Sequence, residues 1–283
     1  MGELSGRAFL VTGANTGIGL ATATDLAGRG GTVTVACRSR DKGEAAVAAI
    51  VAATGQEQVR FHQLDLADLS AAQDSAAAFR ALGEPLDVLI NNAGVAGRRG
   101  LTRDGFELTF GVNHLGHFAF TLGLLDCLTA SASRDGQGAR VVNVSSDAHY
   151  QAAGVDFGQV RRRTRTITGV SEYEVSKLCN VLFSQELSRR LTGTGVTSYA
   201  LHPGVVASDI WRRVPWPARR LLTRRMLTVE QGARTSLYCA TEPALAADSG
   251  RYYDACAERA ASPVATAELA GQLWEHSEHW TRG

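Results

Sequence analysis

The stretch that most constrains this chain is Thr12-Gly13-Ala14-Asn15-Thr16-Gly17-Ile18-Gly19. It follows a short apolar run, Ala8-Phe9-Leu10-Val11, which reads as a buried strand. It opens a helical pattern that continues to about Arg29. Strand, glycine-rich turn and helix in that order form a phosphate-binding element. The glycines let backbone approach a pyrophosphate, and the helix N-terminus offers unpaired N–H groups at the positive end of its dipole. The spacing is G-x-x-x-G-x-G, not the commoner G-x-G-x-x-G, so the position after a first strand carries the argument.

The same alternation continues along the chain. Strands are expected at Thr32–Arg38, Val59–His62, Leu86–Ile90, Arg140–Val144, Val196–Leu201 and Gly250–Tyr253. Between them lie helical patterns at Asp41–Thr54, up to about Leu82, Phe106–Ala130, Ser171–Leu191, Thr228–Thr241 and Val264–His276. Ser131–Gly138 reads as a turn, and 98–105 and 147–170 as loops. Strands alternating with helices predict an α/β fold, a doubly wound parallel sheet of Rossmann type with helices on both faces. Ligands bind such sheets at the carboxyl ends of the strands, and Gly13, Arg38, Asp65 and Asn91 all fall there. From Trp211 to Met226 arginines alternate with Trp and Leu, and Pro215 and Pro217 break any single helix. This stretch is read as a small insertion over the sheet edge, a lid on a lipophilic substrate. No repeat or linker divides the chain, so residues 1–283 are taken as one domain.

Composition excludes several classes. The 283 residues are 45% hydrophobic and 20% charged, a globular profile with a sizeable core. A formal net charge of +1 gives no reason to expect nucleic acid. The five cysteines are odd in number and scattered, which favours reduced thiols in a cytoplasmic setting over disulfides or a zinc site. His114 and His117 lie three apart on a helix without a third ligand, so they are read as structural and no metal is expected. No apolar run is long enough to span a bilayer, and the first strand begins too early to leave room for a leader or anchor. Membrane contact is therefore not expected. Arg161-Arg162-Arg163-Thr164-Arg165 reads as a solvated loop tip.

Tyr173 and Lys177 stand at i and i+4, on one face of a helix. A Tyr hydroxyl, with a reference pKa near 10, is a poor acid or base at neutrality, and a nearby ammonium would lower it. Alone, the pair fits an ordinary helix with a surface Lys and a half-buried Tyr better than a tuned acid/base. At the end of the second strand, where an acidic residue often holds a ribose, stand Cys37 and Arg38. A guanidinium there suits a 2′-phosphate and hence NADP(H), with Asn15 as an added donor and Arg40 and Lys42 raising the local potential.

Taken together, Thr12 to Gly19, Asp65-Leu66, Asn91-Asn92-Ala93-Gly94, Asn113, Ser146, Tyr173/Lys177 and Pro203-Gly204 resemble the short-chain dehydrogenase/reductase family over nearly the whole length. Ala36-Cys37-Arg38, Gly111 to Phe118 and Ser176 to Phe183 resemble its retinol-dehydrogenase and WW-domain-oxidoreductase-like branch. The resemblance implies an NADP(H)-dependent oxidoreductase interconverting a carbonyl and an alcohol. It implies Tyr173 as general acid/base, Ser146 as donor to the carbonyl oxygen, Lys177 on the nicotinamide ribose, and Asn113 bending its helix and binding a water that links Lys177 to solvent. It implies cofactor contacts from Gly13, Asn15, Thr16, Gly17, Ile18, Gly19, Arg38, Asp65, Leu66, Asn91, Ala93, Gly94, Tyr173, Lys177, Pro203, Gly204, Val206 and Ser208. Of the two adjacent serines, Ser145 is expected to support local backbone. A homodimer or tetramer through helices 106–130 and 171–191 is also implied. Two other readings stay open: a non-catalytic NADP(H)-sensing module on the same fold, or a sugar-nucleotide epimerase or dehydratase. No G-x-S-x-G elbow suggests a serine hydrolase.

Overall fold

The computed structural model describes residues 2–206 and 226–282, so Ser208 and all but the last residue of the 211–226 stretch lie outside the described residues. Eight strands form one sheet in the order β3-β2-β1-β4-β5-β6-β7-β8. They are β1 (Ala8–Thr12), β2 (Thr32–Cys37), β3 (Val59–Gln63), β4 (Val88–Asn91), β5 (Ala139–Val144), β6 (Val196–His202), β7 (Tyr252–Asp254) and β8 (Ala257–Arg259). All pairings are parallel except β7 with β8. The chain winds outward from β1 to β3, then crosses back to lay β4 on the other side of β1. That reversal leaves a crevice above the carboxyl ends of β1 and β4.

The strands are apolar almost throughout because both faces are covered. In β1, Phe9 and Val11 point into one core with Leu26, Ile50 and Tyr199. Leu10 points into the other, with Phe79, Phe118, Phe120 and Phe183. The first face carries α1 (Gly17–Gly28), α2 (Arg40–Thr54) and α8 (Val229–Thr241). The opposite face carries α3 (Leu69–Ala81), α5 (Gly116–Gly123), α6 (Leu125–Asp135) and α7 (Val170–Arg190). Local chemistry sets the helix ends. Asp68 accepts from Ala71 N to start α3, and Thr228 with Gln231 forms a capping box on α8.

Three expectations need correction. The helix read over 106–130 is not continuous: it runs as α4 (Leu108–Phe110), a π turn at Gly111–Leu115, then α5, and bends by 55° into α6. Among the described residues no single helix is long and apolar enough to cross a membrane, and the bent pair is core, with Phe110, Leu115, Phe118 and Leu128 buried. Ser131–Gly138 is not a turn; α6 continues to Asp135 and stops at the left-handed Gly136. One of its small polar residues is used inside, Ser131 Oγ accepting from Leu86 N at 3.0 Å.

The sheet also has a further strand, β8, joined to β7 by a two-residue turn in which Ala255 (φ 48°) and Cys256 (φ 62°) are both left-handed. Such turns are read from Asn-Gly or Asp-Gly, and Ala-Cys gives no such signal. In addition, α9 (Ala267–Thr281) packs on α7: Ala270 and Leu273 are buried with Leu178, Cys179 and Leu182.

Gly116 marks where the π turn meets the loop after β3. A Cβ there would stand 2.4 Å from Leu66 O and 3.0 Å from Leu66 Cα, both backbone atoms with no room to yield. Gly116→Ala should cost about 1–3 kcal/mol by overpacking, read as a lower urea midpoint at unchanged m-value. An unshifted midpoint would show that this contact is not tight.

Candidate active site

A groove of about 900 Å³ lies over the crevice. Gly13, Asn15, Thr16, Gly17, Ile18, Gly19, Arg38, Asp65, Leu66, Ala93 and Gly94 line it, as expected, together with Cys37, Asn92 and Val95. Two glycines are required by geometry. Gly13 has φ +67°, and a Cβ on it would stand 2.8 Å from Ala93 Cα. A Cβ on Gly19 would stand 2.4 Å from Asn92 Nδ2. Thr16 precedes α1 in extended conformation, its side chain makes no capping bond, and no acid stands in the first turn. The first N–H groups of α1 thus remain available to an anion.

The loops are tied by a hub that sequence reasoning missed. Thr12 Oγ1 accepts from Asn92 N (3.0 Å) and Ala93 N (2.9 Å), and lies 2.8 Å from His117 Nε2. With both lone pairs used, its O–H donates to Nε2, and His117 Nδ1–H donates to Asn113 O at 3.0 Å. Burial pushes His117 down to about 4, so it stays neutral and fits this tautomer. His114 is likewise buried, is pushed down to about 3, and bonds Ser277 Oγ at 2.8 Å. Among the described residues no His/Cys/Asp/Glu group is arranged to hold a metal.

Several assigned residues stand elsewhere. Asn91 does not line the groove; its side chain is buried, and Nδ2 donates to Thr121 Oγ1 and Asn143 Oδ1, both at 2.9 Å. It ties β4 to β5 and α5. Pro203 and Gly204 are half-buried and do not line the groove among the described residues. Val206 is buried; it and Ile18 both stand over Gly232, whose Cβ would lie 2.4 Å from Val206 and 3.3 Å from Ile18.

Asn113, Ser146, Tyr173 and Lys177 do not line the groove either; α7 carries Tyr173 and Lys177 beside it. Lys177 Nζ donates to Val144 O at 2.8 Å and stands 5.6 Å from the centre of the Tyr173 ring. A Cβ on Gly94 would lie 3.7 Å from that Nζ, so the cation adjoins the groove. Ser146 is close enough to the Tyr173 hydroxyl to act on its titration. Ser145 takes the backbone role expected of it, donating to Lys177 O at 2.7 Å. Asn113 accepts from Val95 N (2.8 Å) and donates to Val95 O and Ser176 Oγ (both 3.0 Å). Its side chain joins the loop after β4 to α7, and it sits in the π turn.

The electrostatics differ from the expectation at one point. Tyr173 is not lowered by Lys177: desolvation raises it above its ordinary 10, with Ser146 pulling the other way. Burial pushes Lys177 itself down to about 8, and its N–H goes to a carbonyl, not to Tyr173. In the unliganded chain this arrangement keeps Tyr173 a protonated donor.

Residues 7–216 match the family model described as short chain dehydrogenase. The chain belongs to that family. It is 44% identical over 282 residues to retinol dehydrogenase 12 of Homo sapiens, covering 97% of this chain and 86% of that protein. To retinol dehydrogenase 13 of Homo sapiens it is 42% identical over 284 residues, covering 97% and 84%. A crystal structure of an uncharacterised protein from Mycobacterium paratuberculosis superposes with a TM-score of 0.78 at 34% identity, covering 100% of this chain and 96% of that one. Short-chain dehydrogenases use a nicotinamide dinucleotide, and the residues present fit one. A Cβ on Gly13 or Gly19 would strike the loop after β4, the α1 N-terminus suits a pyrophosphate, and Lys177 adjoins the groove at Gly94.

A lysine whose folded pKa lies below its unfolded value weakens the fold while it is charged. For Lys177 that cost is present below about 8 and is relieved as pH rises toward the ordinary 10.5. The stability of the unliganded protein relative to Lys177→Met should therefore increase across that window in parallel denaturant titrations. A difference independent of pH would contradict the buried cation.

Proposed function

We propose that this chain is an NADP(H)-dependent oxidoreductase that interconverts a carbonyl and a primary or secondary alcohol on a lipophilic small molecule. One observation carries the reading: half-buried Tyr173, with Ser146 close enough to act on its hydroxyl and Lys177 one helical turn away, stands beside a groove whose glycine turn and free helix N-terminus suit a dinucleotide. A carbonyl oxygen entering between the Ser146 and Tyr173 hydroxyls meets two donors placed in advance of the charge that develops there. The dinucleotide, when bound, donates or takes up the hydride. Tyr173 gives its proton to the oxygen, and Lys177 lies close enough to stabilise the phenolate left behind. In the oxidative direction the same phenolate receives the alcohol proton.

The preference for a 2′-phosphate rests on the end of β2. Arg38 is exposed there and lines the groove. The residue before it is Cys37, whose thiol turns toward Ser39 O at 3.3 Å, and Lys42 is close enough for its charge to act on that thiol. Arg40 contributes less than expected, since it pairs with Glu44 at 3.0 Å. A lipophilic substrate is supported by relatives named retinol dehydrogenases. The five unpaired cysteines accord with a cytoplasmic setting.

Tyr173→Phe keeps the ring and removes the proton. Turnover with an aldehyde and ketone panel should fall by about three orders of magnitude or more while NADPH binding persists; near-normal turnover would refute the assignment. For cofactor choice, a charge-assisted phosphate contact of about 1.5–3 kcal/mol corresponds to a roughly ten- to hundred-fold preference for NADPH in kcat/KM. Arg38→Asp should invert it, mainly through KM. An unmodified enzyme that prefers NADH, or a ratio untouched by Arg38→Asp, would overturn this part of the reading.

A further inference from the structure

Ser146 is held by more than its own strand. It leaves β5 in extended conformation and caps a short 3₁₀ turn, Asp147–Gln151, with Ala148 N 3.2 Å from its Oγ. Its carbonyl oxygen takes two bonds from one residue, His149 N at 3.0 Å and His149 Nδ1 at 2.7 Å. The other ring nitrogen, Nε2, lies 3.1 Å from Ser262 N. A carbonyl only accepts and a backbone N–H only donates, so one neutral tautomer satisfies both ends: Nδ1–H toward Ser146, the Nε2 lone pair toward Ser262. His149 has no exposed surface and touches the rings of Tyr150 and Tyr252, with centroids 3.9 and 4.6 Å away.

The neighbours of His149 grip the same wall. Tyr150 donates to Ala260 O. Asp147 accepts from Arg259 at 3.3 Å, and its N–H donates to His202 Nδ1 at 3.2 Å. The chain just beyond β8 is thus bonded to the turn that carries Ser146, and only His149 among these residues bonds Ser146 itself.

We propose that His149 is a positioning residue: it couples the segment after β8 to Ser146 and sets the angle at which the serine hydroxyl meets Tyr173. This rests on Ser146 being the donor to the carbonyl oxygen, as read above. The imidazole carries no proton to or from substrate. It acts through the Ser146 carbonyl, where a small error in placement is costly to turnover and not to cofactor binding.

Two conservative variants separate the two ends of the ring. His149→Asn puts an amide N–H where Nδ1 stands and keeps the Ser146 bond. His149→Gln puts an amide oxygen near Nε2 and keeps only the Ser262 bond. The expected result is kcat within about three-fold of wild type for Asn, and a loss of about ten-fold or more for Gln and for His149→Ala. NADPH dissociation constants, by fluorescence, should stay within about two-fold in all three. Equal losses for Asn and Gln, or kcat that simply follows thermal stability across the set, would overturn the proposal. Should the Ala variant not fold, the Asn and Gln pair still decides. Ser146→Ala, measured alone, tests the underlying reading. If it retains turnover, the serine role fails; if it is crippled while His149→Gln runs at full rate, only the positioning role fails.

Discussion

The structure depends most on how α7 is fastened across the end of β5. Three bonds do this within four residues of helix: Lys177 Nζ to Val144 O, Asn180 Nδ2 to Val144 O, and Ser145 Oγ to Lys177 O. Two of them converge on one strand-end carbonyl. Because Tyr173 stands one helical turn before Lys177, fastening Lys177 to β5 also carries the phenol to Ser146, the second residue beyond that strand. The helix cannot slide by a residue without uncovering a buried lysine and leaving a buried carbonyl unpaired, and either would cost more than a lost surface contact. The active-site distances are thus set by polar bonds, and the apolar cores on either face supply the bulk of the stability around them.

A second fastening joins the two halves of the crevice. The Thr12 hydroxyl closes the loop after β4 onto the end of β1, and through His117 it reaches the π turn that holds Asn113. Asn113 in turn bonds Val95 and Ser176, returning to α7. The groove floor and the acid/base helix are therefore linked by one continuous chain of buried, neutral hydrogen bonds. Neutrality matters here: a protonated His117 would set an N–H against a hydroxyl that has no acceptor left to offer it.

Much of this was legible in the amino-acid order, and what was not has identifiable causes. The glycine turn, the strand starts and the Thr228 cap could be read because each depends on local chemistry that the residue types announce. The break at Gly111–Leu115 was implied only through Asn113, and its form answers to Val95, Ser176 and Leu66, all distant in sequence. The α6 extension was hidden by small polar residues that are neutral in a helix but common in turns. Asn91 was assigned to the cofactor by its place at a strand end, yet a side chain there alternates between groove and sheet interior, and the structure turns it inward. His149 gives no local signal at all, since its partner Ser262 is brought to it only by the antiparallel β8. The segment around 211–226, read as a lid, falls outside the described residues apart from Met226.

The Tyr173–Lys177 pair shows why spacing predicted proximity correctly and titration incorrectly. The i, i+4 rule places the two side chains together, but the sign of a pKa shift is decided by competition between charge and desolvation. Desolvation disfavours the phenolate and the ammonium alike, and that is the larger effect on each. The same desolvation makes the site receptive. A lysine pushed down to about 8 beside Gly94, uncapped N–H groups at the start of α1, and Arg38 at the end of β2 mark the inner end, the middle and the outer end of one groove. Each is a positive feature whose solvation an anionic, hydroxyl-bearing ligand would restore. Filling the groove would then lift the penalty on Lys177, and its ammonium would favour the phenolate as the bare spacing suggested. The acid/base tuning is in this sense a property of the liganded site, with the protein supplying the fixed positions that make it work.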